Sequence, residues 1–334
     1  LMSRWLFFIL SFMALPVFMA NTASAGVENT WPGAEGGTIQ ALAIDPNNNS
    51  TVFAGTKANG IFKSADKGDT WTAVNTGLTD LNVQAIVFDP NTPGTVFAGT
   101  RVGGVFKSTS VDNPSWTAVN SGLTNLDVTD LAHDPQVAGT LYAGTSGGGV
   151  FKSTNSGGDW NAFNGTAPDD LASNEVQVLV IDQSAGNNLI LYAGTKGGVF
   201  RTADGATSWD ERNTGLTNND VQELAIDPQV NTTLYAGTNG DGVFKTTTIV
   251  NDSDWVQKVS GDLPDDADVL ALAIDPNTNA TLYAGTEPGG VFKSTDRAES
   301  WSKSDSGLTA ADLQTVAVDP EATATIYVGT DADA

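Results

Sequence analysis

The sequence predicts an all-β fold built from one repeating four-stranded unit, and three features of the chain carry this prediction. An apolar segment closed by Asp, usually followed by Pro, returns seven times, with its Asp at Asp45, Asp89, Asp134, Asp182, Asp227, Asp275 and Asp319. The spacing of these residues stays between 44 and 48. Six of the seven periods continue with a Tyr/Phe-Ala-Gly-Thr segment, a segment similar to Gly-Val-Phe-Lys and a segment at a Trp. Four strands in a period of this length indicate a β-propeller blade, so a seven-bladed propeller of four-stranded blades is predicted.

The first two strands of each period are predicted to form the packed part of a blade. The first strand is nearly continuous in apolar residues, as in residues 39–44 and 176–181, which is typical of an innermost strand buried on both faces. Asp-Pro then makes the turn, because Pro fixes φ and Asp binds the backbone beyond it. The second strand repeats an aromatic position, and this periodicity favours packing over catalysis for Phe53, Phe97, Tyr142, Tyr192, Tyr235, Tyr283 and Tyr327.

The third strand leads into a hairpin that ends at a Trp in six periods. Residues 64–71 read Ser-Ala-Asp-Lys-Gly-Asp-Thr-Trp and match the Asp-box pattern, Ser/Thr-x-Asp-x-Gly-x-Thr/Ser-Trp, at every defined position. Residues 202–209 and 294–301 keep the Asp, at Asp204 and Asp296, and the Trp. The chain therefore resembles the Asp-box (BNR-repeat) propellers, a group that includes sialidases, xyloglucanases, the sortilin ectodomain and photosystem II assembly-factor propellers.

The resemblance extends over residues 26–334 and implies a structural role for the box. A carboxylate accepts backbone N–H bonds in a tight hairpin beside a buried Trp. In that family the box lies away from the ligand-binding face. The box residues are therefore predicted to be structural and not catalytic: Asp66, Asp204, Asp296, Trp71, Trp209 and Trp301.

The first 25 residues differ from the repeats and are predicted to be a secretory signal peptide. Arg4 is their only charge, an apolar stretch runs from Trp5 to Ala20, and small residues at 23–25 offer a cleavage site. Pro16 and the polar residues after the stretch shorten it below the roughly 20 residues that a membrane span needs. We expect a leader at 1–25, one propeller domain at 26–334, and a secreted or periplasmic protein without membrane insertion after cleavage.

The composition is strongly acidic, with 39 Asp and Glu against 15 Lys and Arg and a formal net charge of −24. Nucleic acid and anionic membranes are therefore poor partners. The sequence contains no Cys, which excludes disulfides. His133, the only His, stands where the repeats have Ile or Phe, so a core or edge position is predicted rather than catalysis or metal binding.

The loops that join second to third strands are short, so the sequence gives enzyme activity little support. In the related sialidases an Arg cluster binds the substrate, and here only Arg101 lies on that face; related xyloglucanases pair two propellers. A glycosidase carboxylate pair could be drawn from Asp241, Asp268, Glu287 or Asp312, which leaves the catalytic residues unknown. The predicted function is a secreted binding or assembly module that presents an acidic face to a protein or glycan. An extracellular glycoside hydrolase of the xyloglucanase or sialidase type stays the alternative.

A candidate binding site comes from the residue just before each first strand. Around the ring these residues are Thr38, Asn82, Asp127, Glu175, Asp220, Asp268 and Asp312. First strands parallel to the propeller axis would gather the five carboxylates at one mouth of the central channel. Two interpretations stay open: Asp and Asn suit the turn into a strand, or the ring binds a basic partner or a hard cation such as Ca²⁺. No other cofactor is expected.

The last blade is expected to be shared by both ends of the sequence. Trp31 aligns with the repeat Trp, so residues 30–35 are predicted to form a fourth strand. The Gly-Val-Phe-Lys strand expected after Thr330 is absent from the sequence, which predicts an incomplete blade. Either the sequence is part of a longer protein, or another chain fills the gap by strand addition.

Overall fold

The computed structural model describes residues 19–21, 27–29, 37–166, 170–182, 190–203, 205, 208–248, 254–306, 308, 312–322 and 324–331. The regular secondary structure of these residues is all β, and the strands pair antiparallel within four-stranded sheets. None of these residues belongs to a helix with the length and apolarity to span a membrane.

The described residues contain 28 strands. In chain order they are β1 (Met19–Asn21), β2 (Val27–Asn29), β3 (Ile39–Ile44), β4 (Val52–Thr56), β5 (Ile61–Ser64), β6 (Thr72–Ala73), β7 (Val83–Phe88), β8 (Val96–Thr100), β9 (Gly104–Ser108), β10 (Thr117–Ala118), β11 (Val128–His133), β12 (Leu141–Thr145), β13 (Gly149–Ser153), β14 (Asn161–Ala162), β15 (Val176–Ile181), β16 (Leu191–Thr195), β17 (Gly198–Thr202), β18 (Asp210–Glu211), β19 (Val221–Ile226), β20 (Leu234–Thr238), β21 (Val243–Thr246), β22 (Val256–Gln257), β23 (Asp268–Ile274), β24 (Leu282–Glu287), β25 (Gly290–Ser294), β26 (Ser302–Lys303), β27 (Leu313–Val318) and β28 (Ile326–Thr330).

Six sheets are complete blades, each made of four consecutive strands that follow one another across the sheet. Blades 1 to 6 are β3–β6, β7–β10, β11–β14, β15–β18, β19–β22 and β23–β26. The first strands contact one another in order around a ring, which β27 closes by lying between β23 and β3. The fold is therefore an all-β propeller with four-stranded antiparallel blades, as the period predicted.

The prediction of seven blades is wrong, because four consecutive repeat strands occur only six times. The last sheet has the order β27-β28-β1-β2, and its third and fourth positions are taken by two three-residue strands from outside the repeats. Met19 pairs with Val328 and Asn21 with Ile326. The expected fourth strand at residues 30–35, with Trp31, lies outside the described residues. Strand β1 belongs to the predicted leader, so cleavage after Ala25 would separate it from this sheet.

Burial differs between the strands of a blade in a way that the apolar pattern did not predict. The second strands, such as β8 and β12, are buried along their length, apart from Glu287 at the end of β24, whereas the first strands contain both buried and half-buried residues. A first strand packs on its own blade and on the next blade, but its inner edge lines the central channel. Gly99 of β8 shows how closely the blades approach, since a Cβ there would lie 2.6 Å from Val128 Cγ1 in blade 3.

The hydrophobic core lies between neighbouring blades, and the repeat Trp residues join these blades directly. One cluster, for example, packs Phe53 and Ile61 of blade 1 against Phe106 and Trp116 of blade 2. In five blades the indole Nε1 donates to a carbonyl oxygen of the preceding blade. The pairs are Trp116 to Val74 (2.7 Å), Trp160 to Val119 (2.7 Å), Trp209 to Phe163 (3.0 Å), Trp255 to Arg212 (2.7 Å) and Trp301 to Lys258 (2.8 Å).

The Asp-box of residues 64–71 is a closed hydrogen-bond network. Asp66 Oδ1 accepts from the Thr70 backbone N–H at 2.8 Å and from the Ser64 hydroxyl at 2.7 Å, and its Oδ2 accepts from the Thr70 hydroxyl. Burial raises the pKa of Asp66, but the hydrogen bonds from Thr70 and Ser64 outweigh it and hold the pKa below its ordinary value. Asp296 makes the same contacts with Ser294 and Ser300. Asp204 lies outside the described residues.

The Asp of the turn between first and second strands also links neighbouring blades. At three junctions between blades, its carboxylate accepts from an Asn that follows the corresponding Asp of the next blade by four positions. The pairs are Asp182 with Asn231 (3.1 Å), Asp227 with Asn279 (2.8 Å) and Asp319 with Asn49 (3.0 Å). In blade 3 the corresponding residue is Ala138, and His133 contacts Asp89 of blade 2 instead.

His133 is a buried residue, which is one of the two positions, core or edge, that the repeat predicted. Its Nε2 lies 3.2 Å from Asp89 Oδ1, and its Nδ1 lies 3.1 Å from the Asp134 carbonyl oxygen. Burial lowers the pKa of His133, although the Asp89 carboxylate opposes this shift. His133 therefore lies against the Asp89 carboxylate at the junction of blades 2 and 3, where three other junctions have an Asn.

Replacing His133 by Ile, the residue of most other repeats, should cost about 1–3 kcal/mol, because the buried Asp89 carboxylate loses its contact with blade 3. Adding Ala138→Asn should recover most of this loss by introducing the Asp–Asn link that three other junctions have. Urea unfolding of the wild type, both single variants and the double variant measures the effect. A double variant no more stable than His133→Ile would contradict this role for His133.

Candidate functional site

The five carboxylates predicted to form a ring all lie within the described residues. They stand at or just before the starts of the first strands, on the face that also carries the loops between second and third strands, called here the upper face. Asp127, Glu175, Asp220, Asp268 and Asp312, named here the acid ring, are each half-buried. Thr38 is buried and Asn82 half-buried at the same position of the first two blades.

At three of the ring positions, the backbone of the turn into the first strand is held by another side chain and not by the ring residue itself. A side chain two residues earlier accepts the backbone N–H of the ring position. The contacts join Asn82 N to Asp80 Oδ1 (3.0 Å), Asp127 N to Asn125 Oδ1 (2.9 Å) and Asp220 N to Asn218 Oδ1 (2.9 Å). The side chains of Asp127 and Asp220 are therefore not needed to cap these turns.

Glutamine side chains hold part of the acid ring in place. Gln is the second residue in five of the first strands, where a register shift interrupts the pairing with the second strand. Gln84 Nε2 donates to Asp127 Oδ1 at 2.9 Å and to the Val128 carbonyl at 3.0 Å in the next blade. Gln177 Nε2 likewise donates to Asp220 Oδ1 at 2.7 Å. These contacts fix two ring carboxylates at the junctions between blades.

Glu175 accepts from the Ser146 hydroxyl at 3.0 Å, and its carboxylate lies 4.0 Å from Lys196 Nζ. In the described ranges, no three His, Cys, Asp or Glu side chains come together as a group that could hold a metal ion. Binding of Ca²⁺ by the ring stays a prediction.

Two further carboxyl groups, which the sequence reasoning missed, lie deeper along the first strands. Asp130 and Glu223 are the third residues of β11 and β19. The same position in the other first strands holds a residue without charge: Ala41, Ala85, Val178, Ala271 and Thr315. The sequence signal that could have identified Asp130 and Glu223 is a carboxylate at a repeat position that is otherwise uncharged.

Both groups are held by backbone N–H donors near the channel. Asp130 Oδ2 accepts from Leu179 N of blade 4 at 2.7 Å, and its Oδ1 accepts from Leu131 N at 2.8 Å. Glu223 Oε1 accepts from Leu224 N at 3.0 Å. Enclosure by the ring of strands raises the pKa of Asp130 to about 7. Enclosure, together with the charge of Asp130, raises the pKa of Glu223 to about 8, so the charge of the pair changes near neutral pH.

No family model and no curated protein matches the sequence. Among solved structures, the chain is similar to the GH74 xyloglucanase from Xanthomonas campestris (16% identity, TM-score 0.71, 94% of this chain and 52% of that chain). It is also similar to the extracellular domain of the one component system BT4673 from B. thetaiotaomicron (19%, TM-score 0.70, 91% and 38%). A third similar structure is YCF48 bound to D1 peptide (13%, TM-score 0.67, 95% and 97%).

These identities establish the fold alone. The chain spans about half the length of the GH74 enzymes that it matches and nearly the whole length of YCF48. The similar structures agree with the resemblance to Asp-box propellers that the motif at residues 64–71 indicated. The hairpin at Asp66 also has the closed hydrogen-bond network that this motif implies. The chain has the fold of an Asp-box-type β-propeller.

Proposed function

We propose that the protein is an exported binding or assembly module that uses the acid ring on its upper face to bind a partner with basic groups. The observation that carries the proposal is the placement of five half-buried carboxylates at one repeat position around the ring. Asp127 and Asp220 are fixed by neighbouring Gln side chains, so binding a cation there would require little reordering. Like charges around one mouth repel one another, and a basic partner would relieve that repulsion.

Two of the similar structures support this class of function. One is a propeller of matching length described with a bound peptide, and another is an extracellular domain. Export is further supported by the leader-like residues 1–25. A protein segment and a glycan with basic groups both fit the proposal at this level.

The test compares two variants with the same change in net charge. The ring variant is Asp127→Asn, Asp220→Asn and Asp268→Asn, and Asn keeps an acceptor for Gln84 and Gln177. The control variant is Asp69→Asn, Asp112→Asn and Glu321→Gln, which are exposed residues away from the upper face. With a fluorescent oligolysine probe in about 0.15 M salt, the ring variant should bind about tenfold or more weakly than the wild type, and the control variant almost normally. Equal weakening of both variants would show a non-specific charge effect and overturn the proposal.

A second candidate function is glycoside hydrolysis, which Asp130 and Glu223 favour. The pKa values of both carboxyl groups are raised towards neutral pH, so the pair can keep one proton there and offer an acid and a base together. Assays of the wild type on xyloglucan and sialosides, with Asp130→Asn and Glu223→Gln as controls, test this candidate. Hydrolysis that both substitutions abolish would replace the binding proposal with an enzymatic one.

A further inference from the structure

The upper face also carries an apolar patch. Leu81, Val102 and Leu126, named here the apolar lip, are 40%, 69% and 38% exposed. They make up half of the large apolar side chains that are exposed among the described residues. The other three, Val137, Val230 and Val256, lie in turns between first and second strands or on an outer strand. The lip is therefore a local cluster of exposed apolar side chains on the face that also holds the acid ring.

Backbone contacts bring the three lip residues to one place, around the loop between β8 and β9. Val102 N donates to Asp80 Oδ2 at 2.7 Å, beside Leu81. Gly104 N, two residues beyond Val102, donates to the Leu126 carbonyl at 3.1 Å. The Val102 loop thus lies between the segments that carry Leu81 and Leu126, and hydrogen bonds fix it on both sides.

The lip is a departure from the repeat and not a general property of it. Leu81 and Leu126 come directly before the ring positions Asn82 and Asp127. In the other repeats, the residue before the ring position is small or polar: Gly37, Asn174, Asn219, Ala267 and Ala311. Blades 2 and 3 therefore present an apolar edge that adjoins the ring.

The opposite part of the upper face is acidic. Asp265 and Asp266 are exposed and Asp241 is half-buried in loops near Asp268, and Glu287 is half-buried at the end of β24. Cations occur on this face at Lys57, Arg101 and Lys196 in the loops of blades 1, 2 and 4. A molecule crossing the mouth from blade 2 to blade 6 would meet apolar side chains first and carboxylates afterwards.

We propose that the apolar lip and the acid ring together bind one extended protein segment, with apolar side chains of the segment on the lip and Lys or Arg side chains on the ring. This proposal rests on the proposed binding function and names its partner class. Charge complementarity selects the occupant, because neutral and anionic sugars offer no cation to the carboxylates. Burial of the lip against apolar side chains adds affinity that a purely basic segment would lack.

The test uses two fluorescent peptides of equal charge. In the first peptide an apolar Leu/Val half precedes a Lys half, and in the second peptide Ser replaces every apolar residue. The lip variant is Leu81→Ser, Val102→Ser and Leu126→Ser, and its matched control is Val137→Ser, Val230→Ser and Val256→Ser. The wild type and the control should bind the first peptide about tenfold tighter than the second, and the lip variant should bind both peptides equally.

The outcomes separate the two proposals. Equal affinity of the wild type for both peptides, each weakened by the ring variant, would overturn the role of the lip and keep the acidic binding face. No binding of either peptide would overturn both proposals. Preference for the first peptide in the lip variant would place the apolar contact elsewhere and overturn the lip proposal. Unchanged thermal unfolding of the lip variant and its control shows that the binding data compare folded proteins.

Discussion

Replacing Asp130 by Asn and Glu223 by Gln should stabilise the folded protein at pH 8 by about 1–3 kcal/mol, a gain that should disappear near pH 4. In the folded protein the pKa of Asp130 is raised to about 7 and that of Glu223 to about 8. One pKa unit corresponds to about 1.4 kcal/mol, so two shifts of this size imply a larger effect. We expect a smaller gain, because both groups are partly in contact with the channel. In addition, Asn at position 130 has one oxygen, so it cannot accept from the backbone N–H groups of both Leu131 and Leu179 as the Asp130 carboxylate does.

The sign follows from proton uptake. Between about pH 4 and pH 8 the folded protein binds more protons at these two groups than the unfolded chain does, so their ionisation makes folding less favourable as the pH rises. The neutral amides do not titrate, so the double variant does not lose stability through these two groups as the pH rises.

Urea unfolding at several pH values from 4 to 9 measures the difference. The pair Asp69→Asn and Glu321→Gln removes two exposed charges and controls for net charge. Parallel stability curves for the wild type and the Asp130/Glu223 double variant would show that neither carboxyl group has a raised pKa in the folded protein.

Replacing Trp301 by Ala should cost about 3–5 kcal/mol, the largest loss that we expect from a single substitution. Trp301 is 2% exposed and packs in the cluster that joins blades 5 and 6. Its indole Nε1 donates to the Lys258 carbonyl oxygen of blade 5 at 2.8 Å. Because a typical domain is stable by only about 5–15 kcal/mol, Trp301→Ala should shift the unfolding midpoint clearly.

Trp301→Phe is the matched comparison, since it keeps an aromatic ring in the cluster and removes the hydrogen bond. Its cost should be smaller, about 1–2 kcal/mol, from the unpaired carbonyl of Lys258 and the smaller ring. Both variants can be measured by urea unfolding. Equal losses for Ala and Phe would mean that the hydrogen bond, and not packing between the blades, accounts for the effect of Trp301.

The sequence predicted the features that recur in every period and missed those that depart from it. The four strands of blades 1 to 6 followed from the repeat spacing, because one set of packing constraints acts in each blade. The Asp-box resemblance followed from the motif at residues 64–71. The blade count was wrong, since β1 and β2 come from residues that share no repeat pattern.

The local departures needed spatial information. The nearly continuous apolar pattern predicts buried first strands, so it does not single out Asp130 and Glu223 as site residues. A core or edge position was predicted for His133, but its contact with Asp89 depends on the packing of neighbouring blades. Ala138, where three other blades have Asn, was the sequence signal for that contact.

The central claim, that the upper face is the binding surface, is tested most directly by photo-crosslinking. A peptide with an apolar half, a Lys half and a photoreactive group between them is irradiated with the wild-type protein, and the crosslinked residues are identified by mass spectrometry. We predict crosslinks in residues 80–82, 101–104 and 125–127 and in the loops around Asp220 and Asp268, with loss of these crosslinks in the ring variant. Crosslinks concentrated in the Asp-box hairpins at residues 64–71 and 294–301, unchanged in the ring variant, would contradict the claim.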